Sequence, residues 1–497
     1  MLALLVLSPE WFACASSAPP RDGAPGADRP LEMLVANDPE TLDPRYATDA
    51  VGLRATRLVH AGLVRLDPET LSPVPYVASS WRWLDPLTLR VELRSDVRFH
   101  SGARLRPADV VATLRAIGSP RVASRHAHVL DAVADIREDG EHGVVIRLAR
   151  AHATLPTDLE LPVLRADQAA SAPAPDGSLD GLGPYSVASV RRGEVQLVPA
   201  DGGAFPRPTH AVTLRTVHDE NTRALRLEGG RADVALNLLS PTLLPALAAQ
   251  PGLFVSARPG SNLTYIVIQE KRPPLDMACV RRAISSAIDR TLLTTSLFDG
   301  RARPAAGLIA PTHWAHVDAP ILPFDPVAAR AIIERAGAVG TGFTILTSTE
   351  RLRGDVARFI AQELGDIGVA IEVVPLEFGT LIDRLNAGDF DLAILQLPEM
   401  TEPNVFRHFL HSAFVPPAGA NRGRIADPVV DALLDAGDRL EDRTARRTVY
   451  ADLEARQREE MHVIPLWYED QVVVASGRAR AFAPSAEGRW LALGGLK

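Results

Sequence analysis

Histidines, cysteines and carboxylates at fixed spacing are where this chain could carry out chemistry. The closest histidine pairs are His126 with His128 and His408 with His411. The second pair has the spacing that sets two ligands on one helical face, as a bound metal would require. No cysteine or close acidic third ligand accompanies either pair. Both are therefore expected to be ordinary core or surface histidines, with no metal and no cofactor. The two cysteines, Cys14 and Cys279, cannot build a disulfide framework or a four-cysteine zinc site. No nucleophile elbow, His-Glu-x-x-His or phosphate loop occurs. Residues 337–342 (GAVGTG) carry glycines in the wrong order for a dinucleotide fingerprint and read as a helix stop and turn. Carboxylates are plentiful, but nothing singles out a glycosidase pair. A secreted hydrolase is the weakest reading of the chain, which is expected not to be an enzyme.

A length of 497 residues suggests about three domains. Apolar residues make up 46% and charged residues 23%, in keeping with a globular fold. The formal charge of −8 argues against nucleic-acid binding, which needs a basic surface. Of the 53 basic residues only Lys271 and Lys497 are lysines, leaving 51 arginines. This bias makes any single arginine weak evidence of a site.

Residues 1–8 (MLALLVLS) are almost wholly apolar, yet far short of the ~20 needed to cross a bilayer. They fit the apolar part of a secretory signal, with Ala13, Ala15, Ser16 and Ser17 suited to processing. Cys14 resembles the lipid-modified cysteine of a bacterial lipoprotein signal, and 15–30 would be a flexible tether. The body is expected to be exported to the periplasm or the outer face of the inner membrane, with Cys14 either its lipid anchor, the one point of contact with membrane, or merely part of a discarded signal.

Further along, residues 31–36 read as a strand and 50–62 as a helix. Residues 87–93 alternate as a half-buried strand, and Pro107 with Asp109 opens a helix. A Pro/Gly/Asp-rich break at 172–184 marks a boundary. Asp276 is expected to cap one helix over 277–290, with Cys279 packed and inert beside its apolar stripe. From 343 to 395, strands alternate with helices over 356–367 and 378–387, which predicts a mixed, largely parallel sheet. Helices over 428–436 and 443–460 and separate strands over 463–467 and 471–475 close the chain.

Several segments, taken in order, resemble the large solute-binding proteins of bacterial ABC importers, extracellular solute-binding protein family 5 (oligopeptide, dipeptide and nickel types). They are 40–44 (ETLDP), 62–64 (GLV), 75–81 (PYVASSW), 99–102 (FHSG) and 108–111 (ADVV). Then follow 183–185 (GPY), 281–283 (RRA) with 287–290 (AIDR), 324–326 (FDP) and 465–466 (PL). The resemblance implies an α/β, two-lobed periplasmic-binding-protein-like fold (type II, cluster C) with mixed sheets, a hinge and an extra small subdomain. Residues 1–14 would be the signal peptide. Lobe I would comprise 31–58, 182–262 and the returning 463–497, with 59–181 its subdomain. Lobe II would be 263–462, and strands near 264–268 and 463–467 would form the hinge.

Peptide binders of this family hold the ligand's amino terminus with an aspartate, and the matching stretch here is 396–404 (QLPEMTEPN). Glu399 falls at the anchoring position, Glu402 three residues on, and Gln396 replaces the preceding aromatic. In dipeptide-binding members an arginine pairs with the ligand carboxylate; Arg351 or Arg353 could serve here. The resemblance thus implies a monomeric receptor that captures a peptide or other small solute and delivers it to an ABC permease and its ATPase. A sensory binder of the same fold is the alternative.

Overall fold

A computed structural model of the chain describes residues 29–398 and 400–497. Cys14, the signal and most of the tether lie outside the described residues, as does Glu399. Eleven of the described strands form one sheet, ordered Ala370–Leu376, Gly342–Ser348, Leu392–Leu397, Leu253–Ile268, Val463–Ser476, Val234–Leu236, Leu31–Val35, Val212–Thr216, Glu194–Pro199, Tyr185–Arg191. Ala302–Pro304 pairs off this path with Val463–Ser476. A four-stranded antiparallel sheet, Ala78–Asp85, Thr88–Leu93, Gly143–Leu148 and Val133–Asp139, stands apart with its own core around Val91, Phe99, Val110 and Ile146.

The two central strands, Leu253–Ile268 and Val463–Ser476, join the halves of the large sheet. Residues 261–268 are buried without interruption, as expected where a strand is covered on both faces. Ile266 faces a core with Ile284, Ile345 and Trp467, while its neighbour Tyr265 faces another with Phe406 and Tyr450. Leu31, Met33, Leu58, Tyr185 and Trp490 pack the core at the opposite end of the sheet. Between Arg258 and Asn262 the register of the two long strands shifts. Gly260 sits in that irregularity, where a Cβ would lie 2.1 Å from the Glu469 carbonyl oxygen. Only glycine allows so close an approach of two backbones.

The structure departs from the sequence expectations in places with physical causes. The helix expected over 277–290 runs only over Ala278–Ser286, with Met277 rather than Asp276 at its start, and a second helix, Arg290–Phe298, follows it. Asp289 breaks it: its backbone leaves the helical region and its carboxylate accepts from the Leu292 N–H at 2.8 Å, a stronger start signal than Asp276. The strands expected over 463–467 and 471–475 are one, because Tyr468, Glu469 and Gln471 pair across to Leu263, Asn262 and Arg258. The helix expected over 356–367 begins five residues earlier, at Arg351. That extra turn carries Arg353.

Candidate functional site

The carboxylate of Glu469, on the central strand Val463–Ser476, gathers polar groups from three other elements. Gln396, near the end of strand Leu392–Leu397, donates from Nε2 to Oε2 at 2.7 Å. Arg353, in the first turn of helix Arg351–Asp366, approaches Oε1 through Nη2 at 3.4 Å and donates from Nη1 to Thr264 Oγ1 at 3.0 Å. Thr264 and the Trp467 indole N–H point to the same oxygen at 3.4 and 3.3 Å. Strand pairing imposes this convergence, since Thr264 is in register with Gln396 on one side and Trp467 on the other. The Arg353 and Glu469 side chains keep 15% and 22% of their surface, so the pair is within a solute's reach.

Two cavities meet at this cluster. One, of about 520 Å3, runs between residues 33–37 with Arg54 and Asn237 on one side and Arg353 and Gln396 on the other. The second, of about 780 Å3, extends past Tyr265, Phe378, His408, Phe409 and Arg422. Glu350, Arg353, Gln396 and Pro398 line both. A largely apolar hollow of this size with a few converging polar groups is what small-molecule capture requires. Pro398 precedes Glu399, whose side chain lies outside the described residues.

The sequence named two arginines, and the helix separates them. Positions two apart on a helix point to nearly opposite faces; Arg353 turns inward, whereas Arg351 is 94% exposed, 4.0 Å from Asp355, and lines neither cavity. Glu402, expected to touch the ligand, does not reach the cavities either. It is buried, accepting from Arg446 Nη2 at 2.7 Å and Thr157 Oγ1 at 2.8 Å. Burial raises its pKa, against the pull of Arg446 and Thr157. Both oxygens are thus committed to the seam between the second half and the small subdomain.

The same seam holds His152, between Asp158 at 2.7 Å and Asp438 at 3.2 Å. Burial alone would lower its pKa, but the two carboxylates outweigh it and raise it to about 9. His408 and His411 do not share a helix face: the helix Arg407–Leu410 ends between them, and His411 turns to Asp431 and Asp435. The sequence reading missed Glu469, although the polar trio Glu469-Asp470-Gln471 within the otherwise apolar run IPLWYEDQVVV was a visible signal.

No described helix is long and apolar enough to cross a membrane. A probable di/tripeptide-binding protein 5 of Pseudomonas aeruginosa (strain UCBPP-PA14) is 25% identical, with 94% of this chain and 95% of that protein covered. The crystal structure of NikA from Brucella suis in complex with Fe(III)-EDTA superposes with a TM-score of 0.85 at 20% identity, covering 95% of this chain and all of that one. The oligopeptide-binding protein AppA of Bacillus subtilis, solved with a nonapeptide, gives 0.78 at 19%, covering 94% and 99%. These likenesses show a type II periplasmic-binding-protein fold. The sequence model of the bacterial extracellular solute-binding proteins, family 5, matches residues 72–413, and the chain belongs to that family.

Proposed function

We propose that this protein is a non-enzymatic receptor that captures a peptide-like solute beside Arg353, Gln396 and Glu469 and presents it to an ABC permease. The observation that carries the reading is the polar cluster at the meeting of two large cavities, flanked by both halves of the central sheet. The name of the Pseudomonas relative supplies the peptide class. Glu399 is the proposed amine anchor, because a carboxylate facing an ammonium in a water-poor cleft makes a charge-assisted hydrogen bond. Arg353 is the proposed partner for the solute carboxylate; Arg351, in solvent, and Glu402, buried against Arg446 and Thr157, lie outside the site. Glu469 already holds Arg353, so a solute carboxylate must share or displace it. A zwitterion therefore gains less here than at a free arginine, and a peptide amide loses less.

The receptor acts as a monomer outside the cytoplasmic membrane, anchored through a lipid on Cys14, with a permease and ATPase as partners. Alkynyl-palmitate labelling that disappears in Cys14→Ser checks the anchor.

The test of capture is calorimetric titration of the purified chain with di- to octapeptides and their amides. Binding that weakens at least about tenfold in Glu399→Ala, with no hydrolysed product, supports the reading. Peptide turnover, or peptide binding untouched by both Glu399→Ala and Arg353→Ala, overturns it.

A further inference from the structure

A cavity of about 300 Å3 lies away from the cleft, between the first half of the molecule and the small subdomain. Its walls come from the end of helix Ala50–Val59, strand Val64–Leu66 and the turn after it, Arg258, and residues 483–492. Among the described residues none from 263 to 462 contributes, and Trp490 alone is shared with the cleft cavities.

Four guanidiniums, those of Arg57, Arg65, Arg258 and Arg489, face two carboxylates, Glu69 and Glu160. Arg489 bonds Glu160 and also pairs with Glu487, itself outside the lining. Arg57 reaches Glu160 at 3.6 Å and Arg258 reaches Glu69 at 3.7 Å. Among the described residues Arg65 has no carboxylate within 4.0 Å, and it acts electrostatically on both the Asp67 carboxylate and the Tyr76 phenol.

Three further lining residues are buried with polar atoms that find no partner in the protein: both ring nitrogens of His60, Oη of Tyr76 and Nε1 of Trp490. Orphaned groups of this kind are rare, since each has lost its water without gaining a bond. Burial, with His100 nearby, lowers His60 to about 3, so at neutral pH its ring offers one donor and one acceptor. Leu66, Pro68, Phe205 and Leu491 make the rest of the wall apolar. Water could satisfy single polar atoms, but it would not suit that apolar wall.

We propose that this cavity is a second binding site, selective for a small organic monocarboxylate whose carboxylate engages Arg65 and Tyr76 and whose ring packs against Phe205 and Leu491. The assignment does not rest on the peptide reading of the cleft.

Phenylacetate is the probe, titrated into the full chain by calorimetry, with acetate and benzyl alcohol as the probes lacking ring and charge. Phenylacetate should bind measurably and both controls at least about tenfold more weakly. Arg65→Ala should weaken phenylacetate at least about tenfold, and the isosteric Tyr76→Phe about threefold or more. Thermal unfolding verifies that both variants are folded, and Arg353→Ala should bind phenylacetate unchanged. The proposal is overturned if phenylacetate gives no heat, if folded Arg65→Ala and Tyr76→Phe bind it like the parent, or if Arg353→Ala abolishes it. The last result would place the anion in the cleft.

Discussion

Glu469 with Arg353 and Glu402 with Arg446 are the same chemical pair set in different surroundings. The first lies where two cavities meet, its arginine and acid 15% and 22% exposed and their nitrogen and oxygen 3.4 Å apart. The second is sealed in the seam with the small subdomain, at 6% and 11% exposure and 2.7 Å. A partly wet, long pair can exchange one partner for a solute at modest cost. A dry, short pair cannot, because either charge left alone would sit unsolvated. The difference makes the first pair the proposed binding site and leaves the second holding the seam.

The sharpest way to break this comparison is to remove one acid from the sealed pair. Glu402→Ala leaves Arg446 buried without a counter-charge and should cost about 3–5 kcal/mol of stability, read by denaturant unfolding. If the variant is as stable as the parent but loses solute affinity, the two roles are reversed.

The second effect is one of pH. His152 is raised from 6.5 to about 9 by Asp158 and Asp438, so its contribution is complete below pH 6.5 and is lost as pH rises through about 9. Unfolding free energy should fall by up to about 3 kcal/mol across that window, with Arg150 beside Asp438 opposing part of the loss. His152→Gln should flatten the profile over the same interval, and an unchanged profile would remove His152 from the seam's energetics.

In the cleft, Arg353→Ala should lower affinity for a peptide bearing a free carboxylate by about 2 kcal/mol, with little change in unfolding. Its affinity for the corresponding amide should change less, as calorimetry would read. The smallest effect belongs to Arg351→Ala. That side chain is in solvent, and both affinity and unfolding midpoint should match the parent; a loss of affinity there would move the anchor off Arg353.

Much of the fold is legible along the chain because its signals are local. The helix bounds Phe378–Ala387 and Arg443–Glu460 were readable from apolar spacing. Alternation marked Thr88–Leu93, where Leu89, Val91 and Leu93 are buried. The order of family segments, from 40–44 to 465–466, carried the two-lobed α/β class. The helix break at 287–289 was not readable, since the apolar stripe runs on through Ala287 and Ile288.

For the candidate site, the sequence by itself pointed to a neighbourhood: the loop after Leu392–Leu397 and the start of the helix after Gly342–Ser348, which brought Gln396 and Arg353 into view. Only the tertiary structure separates Arg353, turned inward, from Arg351, in solvent, because the difference depends on which helix face meets the sheet. It also decided that Glu402 belongs to Arg446 and Thr157, residues 44 and 245 positions away. Glu469 entered for the same reason: it lies 116 residues from Arg353 and 73 from Gln396. Hydrophobic periodicity is written into neighbouring residues, whereas the partner of a charge is set by strand register and helix rotation, which no short stretch of sequence specifies.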